Sequence, residues 1–326
     1  DQATGVQPFL YPLPPGNDVS SPLSLVLLPF SAVLGGARTL VFVLLLVAQT
    51  LLVEAILRPL ELIPGVYAAV TRGINAGICR LLLAVAGIVW IQVDTIQLRK
   101  TGRSPPQVPF APEKGDVIIS NSSSWIDLLY LVFRYNATLT LPVSSSSSSS
   151  AASIVGWRRV SLARAIFSSG SLPEFGQEGE TLAQLLENAR GPVVVFPELT
   201  TSNNRAVLKV DAIATAATAN AKPRQIYVLA FRYPAPTPLA PSLTHPIPTV
   251  VSPFFPLPLA HLYSVTSRLV PYTLTVRRLH PSESPKQLDW PAVAETLAAT
   301  ARLKRVGALG WKEKAAFLEF RKLKGR

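Results

Sequence analysis

Residues 118–131 read IISNSSSWIDLLYL. A short apolar run stops at small polar residues, 121–124, and a Trp, an Asp and a second apolar run follow. With its lead-in, GDVIIS at 115–120, the first run is too short for a helix and predicts a buried strand. The second, WIDLLYLVFRY at 125–135, opens behind residues that suit a helix N-terminus. A strand that turns through small polar residues into a helix is the unit of an α/β sheet.

The same alternation continues on both sides. VWIQVDTIQL (89–98), PVVVFPE (192–198), QIYVLAFRYP (225–234) and YTLTVRRLHP (272–281) predict strands. EGETLAQLLENARG (178–191) predicts an amphipathic helix closed by Gly191 in the left-handed conformation. DWPAVAETLAATARLKRVG (289–307) predicts a helix with Asp289 as N-cap, Pro291 in the first turn and Gly307 past the end. Strands separated by helices predict an α/β sheet covered on both faces.

The first third is different. Residues 22–37 carry no charge, Arg38 interrupts, and 39–53 are apolar up to Glu54. A third run, 81–93, starts after Arg80. Each is shorter than the roughly 20 residues of a spanning helix. A helix of 39–60 spans if Glu54 and Arg58 sit near one interface; a re-entrant or interfacial pair broken by Pro59 and Pro64 is the second option. Buried core helices are the third. The expected division is 1–88, a membrane-associated hydrophobic segment, and 89–326, an α/β domain.

Only 15% of the 326 residues are charged and the mean hydropathy is +0.33, which favours membrane contact over a plain soluble fold. The formal charge is +12. Nine Lys/Arg against two Glu fall in 301–326, beside Trp311, Phe317, Leu318 and Phe320. That tail predicts a basic amphipathic helix on anionic membranes, with Lys312, Lys314, Arg321 and Lys322 as contacts. Nucleic acid is not expected as a partner, since no Cys/His finger or RNA-recognition signature occurs. The single Cys79 excludes an intrachain disulfide and fits a reducing face. No Met occurs, position 1 included, as expected of a fragment or processed form. Seven serines at 144–150 predict a flexible spacer, and the Pro-rich 234–258 an irregular excursion.

Two motifs carry chemistry. Asn121-Ser122-Ser123-Ser124-Trp125-Ile126-Asp127 follows one strand, and VVVFPELTTSNNRAVLKV (193–210) contains the next and its loop, about 70 residues on. The pair resembles the glycerolipid acyltransferases of the lysophosphatidate type, whose motifs are Asn-His-x4-Asp and Phe-Pro-Glu-Gly-Thr. The fungal branch is more similar still, extending the second motif through Thr-Thr-Ser-Asn-Gly-Arg and ending in a Lys/Arg-rich helix. Phe196, Pro197, Glu198, Thr200, Thr201, Ser202, Asn203 and Arg205 all match.

The resemblance implies an acyltransferase-type mixed sheet flanked by helices. It also implies transfer of a fatty acyl group from acyl-CoA, a co-substrate, to the free hydroxyl of a lysophospholipid such as lysophosphatidate. No cofactor or metal is implied; membrane lipids are partners. The implied location is the endoplasmic reticulum membrane with access to lipid droplets, the catalytic domain facing the cytosol. An alcohol is a poor nucleophile near neutral pH, so a general base must take its proton. In the family the motif His is that base and the motif Asp orients it. Ser122 and Asp127 are therefore the catalytic candidates. Glu198, Thr200, Thr201, Ser202, Asn203, Arg205 and Lys209 are the substrate-binding ones. Arg205 and, one helical turn on, Lys209 meet the phosphate, and Glu198 orients glycerol hydroxyls or Arg205.

Two departures follow. Ser122 stands where the family has His, and a serine hydroxyl is no base near pH 7. Leu199 and Asn204 stand where it has Gly, positions that supply positive φ or close backbone approach. The three histidines, His245, His261 and His280, each read first as surface or structural residues; of them His245 is the candidate substitute base, because its loop can fold over the site, and Asp127 alone serves only if burial raises its pKa. The second reading is a catalytically silent member that binds lipid or acyl-CoA as a partner subunit. A third is a membrane-surface scaffold, with 121–124 a helix cap.

Overall fold

The computed structural model describes residues 5, 7–12, 22–99, 108–146, 152–176, 178–210, 213–237, 240–248 and 258–324. Most of the serine run, 147–150, and parts of the Pro-rich stretch, 238–239 and 249–257, lie outside the described residues.

In chain order the elements are α1 (Pro22–Thr50), α2 (Pro64–Val85), β1 (Ile88–Ile96), β2 (Val117–Ser120), α3 (Trp125–Tyr135), β3 (Thr140–Ser144), β4 (Ile154–Arg159) and α4 (Leu162–Phe167). Then come β5 (Glu174–Phe175), α5 (Leu182–Asn188), β6 (Val193–Val195), β7 (Ala206–Val207), α6 (Thr215–Thr218), β8 (Ile226–Arg232), α7 (Leu259–Thr266), β9 (Tyr272–Leu279), α8 (Trp290–Ala301), β10 (Lys304–Arg305) and α9 (Trp311–Lys324). Five strands form a mixed sheet in the order β1-β9-β8-β2-β6, antiparallel only between β8 and β9. A three-stranded sheet β4-β3-β5 and a two-stranded pair β10-β7 flank it.

Period-two side-chain alternation sorts the sheet residues into two layers. Ile118, Val194, Leu229, Phe231, Leu274 and Val276 point into a core shared with α1, α2, α3 and α7. Val117, Ile119, Val193, Val195 and Ile226 face Leu182 and Leu185 of α5. Val228, Ala230 and Leu279 face Leu297 and Ala301 of α8. The central strands are thus covered on both faces, as their near-continuous apolar sequences require, while the edge strand β1 is largely exposed.

Phe42 and Leu46 of α1 and Cys79, Leu82 and Leu83 of α2 belong to that first core, so position 88/89 lies within one packed body. The first two apolar runs form one helix. Arg38 does not interrupt it: its guanidinium donates to the carbonyls of Thr266 and Arg268 at the end of α7. The third run is divided, 81–85 closing α2 and 88–93 opening β1. A π-helical turn, Leu51–Ile56, and a tight turn, Arg58–Leu62, separate α1 from α2, with Pro59 and Pro64 at the break. Two segments, Val26–Ile56 and Gly65–Val85, are long and apolar enough to cross a membrane, and neither is enclosed as a core helix would be. Phe30, Val33, Leu40, Leu44 and Leu62 are 60–89% exposed, an apolar surface that suits lipid.

Three local expectations need correction. The helix at 182–188 ends on an extended Ala189, and Gly191 is not its cap; a Cβ at Gly191 would sit 2.4 Å from the Asn136 carbonyl oxygen, so close approach sets the residue. The helix expected to 307 stops at Ala301, where Arg302 takes φ +50°, because Lys304 and Arg305 pair with β7. Lys209 is not one helical turn beyond Arg205, because Ala206–Val207 is strand.

Candidate functional site

The 121–124 turn joins β2 to α3. Ser124 is the N-cap of α3, and Asp127, three residues on, reaches back: its Oδ2 accepts the Ser123 and Ser124 amides at 2.8 and 2.9 Å. This is a capping box, with both partners buried. The other carboxylate oxygen, Oδ1, accepts the hydroxyl of Tyr233, which follows β8. Burial pushes the Asp127 carboxyl up to about 7, against the lowering effect of these three donors. The Tyr233 phenol is raised well above its usual range, by burial first and then by Asp127.

The second motif leaves β6 and folds back onto the first. Glu198 is fully buried, and its carboxylate accepts the Ser122 amide at 2.9 Å and the Leu208 amide at 2.8 Å. The Ser202 amide donates to the Ser122 carbonyl at 3.0 Å. Asn204 Nδ2 donates to Ser123 Oγ and to the Phe231 carbonyl, both at 2.9 Å, and its Oδ1 accepts the Tyr233 amide at 3.1 Å. Asn121 is bidentate on the same strand end, donating to the Phe231 carbonyl at 3.1 Å and accepting its amide at 2.8 Å. Two motifs 70 residues apart thereby become one hydrogen-bonded unit pinned to β8. Leu199 (φ +58°) and Asn204 (φ +60°) both take the left-handed conformation, which Asn tolerates and a branched Leu does not favour.

From beneath, α9 contributes Lys314. Its buried ammonium donates to Thr200 Oγ1 (2.7 Å), the Thr201 carbonyl (3.0 Å) and Thr201 Oγ1 (3.3 Å). Burial lowers its pKa to about 7 and raises that of Glu198 to about 7; the attraction between the two opposes both shifts. Lys314 was expected on the membrane face of a basic tail. It is instead the internal support of the second motif, and sequence reasoning missed it because a Lys between helical neighbours looks like any surface cation.

Eight of the nine expected site residues fall into three groups, and Lys209 stands apart. Ser122, Thr200 and Thr201 line a cavity of about 230 Å³, with Ser168, Ser171 and Phe196 among its walls. Asn203 and Arg205 line a different, wider groove of about 970 Å³. Asp127, Glu198 and Ser202 lie in the buried network. Lys209 lines neither space; its amide donates to the Leu309 carbonyl. Glu198 does not orient Arg205: its oxygens are taken by backbone amides, and among the described residues no ion pair joins the two.

The groove is strongly cationic. Arg205, Arg232, Arg302, Lys304 and Arg321 all line it, and none is paired with a described carboxylate. Burial lowers the pKa of Arg232, and Arg277 and Arg205 add to the shift. Asn203 closes one end by donating from Nδ2 to the carbonyls of Gln7 and Leu10, both at 2.8 Å. Arg205 alone was expected at a phosphate; Arg321 was expected on a membrane surface, and the structure sets it in the groove. All but Arg205 arrive from β8, the α8–β10 turn and α9, which no spacing in the sequence connects.

Among the described residues no histidine ring reaches Asp127. The His245 loop does fold onto the motifs, its amide donating to the Ser123 carbonyl (2.7 Å) and its carbonyl accepting from Thr201 Oγ1 (2.6 Å). Its ring, however, packs 4.7 Å from that of His261 and against Gly170, and burial lowers its pKa to about 2. His261 Nδ1 accepts the Trp125 indole N–H at 3.0 Å, and its other nitrogen meets the Ser242 carbonyl at 3.2 Å. His280 caps the turn Pro281–Glu283. Asp127 is bound by a phenol, not an imidazole.

Compared with family models, with curated proteins and with solved structures, the chain matches none.

Proposed function

We propose that this chain is a membrane-bound, acyl-CoA-dependent acyltransferase acting on the free hydroxyl of a phosphate-bearing lysophospholipid. The observation that carries the reading is the locking of the two motifs into one unit beside a groove of five cations. Arg205 and its neighbours suit a phosphate, in a lipid headgroup or in CoA, through charge-assisted hydrogen bonds. The exposed apolar faces of α1 and α2 would hold the body at a bilayer, the source of the acceptor being that membrane and, by resemblance, that of the endoplasmic reticulum or a lipid droplet. Asp127, held near neutral pKa by burial, meets the condition under which a carboxylate serves as a base.

One observation favours the silent, lipid-binding reading: Ser122 faces the cavity without a base, and among the described residues no imidazole touches Asp127. Purified full chain in detergent, given oleoyl-CoA with lysophosphatidate or lysophosphatidylcholine, separates the two. Acceptor-dependent CoA release supports acyl transfer. Lysophosphatidate binding without CoA release supports the silent reading.

A further inference from the structure

The network restricts the route by which a proton reaches Asp127. One of its oxygens, Oδ2, is spent on two amides, so only Oδ1 remains, and the hydroxyl of Tyr233 sits on it. Tyr233 is also a wall of the cationic groove, between Arg232 and Pro234, and is itself only partly buried. Its backbone is fixed by the hydrogen bond from its amide to Asn204 Oδ1. It is therefore the residue shared by the carboxylate and the groove. We propose that Tyr233 is a catalytic proton carrier, taking the proton of the acceptor hydroxyl bound in the groove while handing its own to Asp127.

This rests on the acyl-transfer reading. The acceptor oxygen forms a bond to the thioester carbonyl carbon and the C–S bond breaks, releasing CoA thiolate. The acceptor's proton passes to Tyr233 Oη, and the phenolic proton passes to Asp127 Oδ1. The thiolate then takes a proton back along the same path, which restores the carboxylate and yields CoA thiol. A phenol shifted upward by burial remains neutral throughout, as a relay requires, and the carboxylate supplies the base strength. The ionisable groups around Asp127 are Tyr233 and, across the network, Glu198, which in turn faces Lys314.

The test uses the full chain in detergent, with oleoyl-CoA and lysophosphatidate, comparing wild type, Tyr233→Phe and Asp127→Asn. Tyr233→Phe should lower kcat by roughly 10²–10⁴-fold with KM for lysophosphatidate little changed, and Asp127→Asn should match it. Tyr233→Phe retaining wild-type kcat overturns the relay and leaves acyl transfer standing. Wild type releasing no CoA overturns both. A second measurement needs no variant that must fold. The wild-type pH profile of kcat/KM should climb on its acid side with a midpoint near 7, where Asp127 loses its proton. A profile flat from acid through neutral pH overturns the proposal.

Discussion

The ammonium of Lys314 lies 2.7 Å from Thr200 Oγ1, so the C-terminal helix is fastened directly beneath the second motif. Four further cations of that helix or its approach, Lys304, Lys312, Arg321 and Lys322, are not buried in this way. Phe320 and Leu323 of the same helix are exposed. One helix therefore carries a structural bolt on one side and a basic, apolar surface on the other.

Replacing Lys314 with Ala removes three hydrogen bonds and opens a hole under a loop whose carbonyl and hydroxyls are then unpaired. The expected loss is about 2–4 kcal/mol, from cavity and unsatisfied polar groups together. Thermal unfolding followed by tryptophan fluorescence would register it. Lys322→Ala, on the exposed side, should lie within about 0.5 kcal/mol of wild type. Equal effects for the two would contradict the assignment.

The buried carboxylates set a pH dependence. Asp127 and Glu198 are both raised to about 7 in the folded chain, so it holds more protons than the unfolded chain between roughly pH 4 and 7. Their contribution to stability is complete below the unfolded values and is lost as pH rises through about 7. Unfolding temperature should accordingly show a downward contribution across that window, and Asp127→Asn should flatten it. An unaltered slope in the variant would show that Asp127 is already ionised in the folded state.

Leu199 holds φ +58° with its side chain buried against Ile154 and Trp311. Ala there keeps the strained backbone and loses the packing; Gly loses the packing and relieves the strain. Leu199→Gly should therefore be more stable than Leu199→Ala by about 1 kcal/mol, the reverse of the order in a helix. Chemical denaturation of the two variants decides it, and a more stable Ala variant would count against the left-handed assignment.

Arg205 and Arg232 face one groove from different elements. Arg205→Gln with Arg232→Gln should weaken lysophosphatidate binding by at least about tenfold, the loss expected for two charge-assisted contacts, and reduce its salt dependence. Binding to a neutral lysolipid should change little. Equal weakening for both lipids would place the effect in folding, not in anion recognition.

Much of the architecture was legible because the central strands β2, β6 and β8 are short, apolar and buried, and because the small polar residues 121–124 mark the start of α3. The positive φ at Leu199 could not be read from the residue itself, since a branched side chain disfavours it; the resemblance alone suggested it. What could not be read were partners brought in from far along the chain. Tyr233 follows an ordinary strand, Lys314 sits in an ordinary basic helix, and each reaches its motif only through the fold. The same reason explains why Ser122 and Arg205, expected in one site, line two separate spaces: the 198–204 loop, pinned through Glu198, runs between them. Arg38 misled for a local reason. A charge in an apolar run looks like a boundary until its guanidinium finds the carbonyls at the end of α7.

The most direct measurement is transfer of an isotopically labelled oleoyl chain from oleoyl-CoA to lysophosphatidate, read as the diacyl product by mass spectrometry. Wild type should form product in step with CoA release, and Asp127→Asn should form roughly 10²–10⁴-fold less. Wild-type protein that binds lysophosphatidate yet forms no labelled product would contradict acyl transfer.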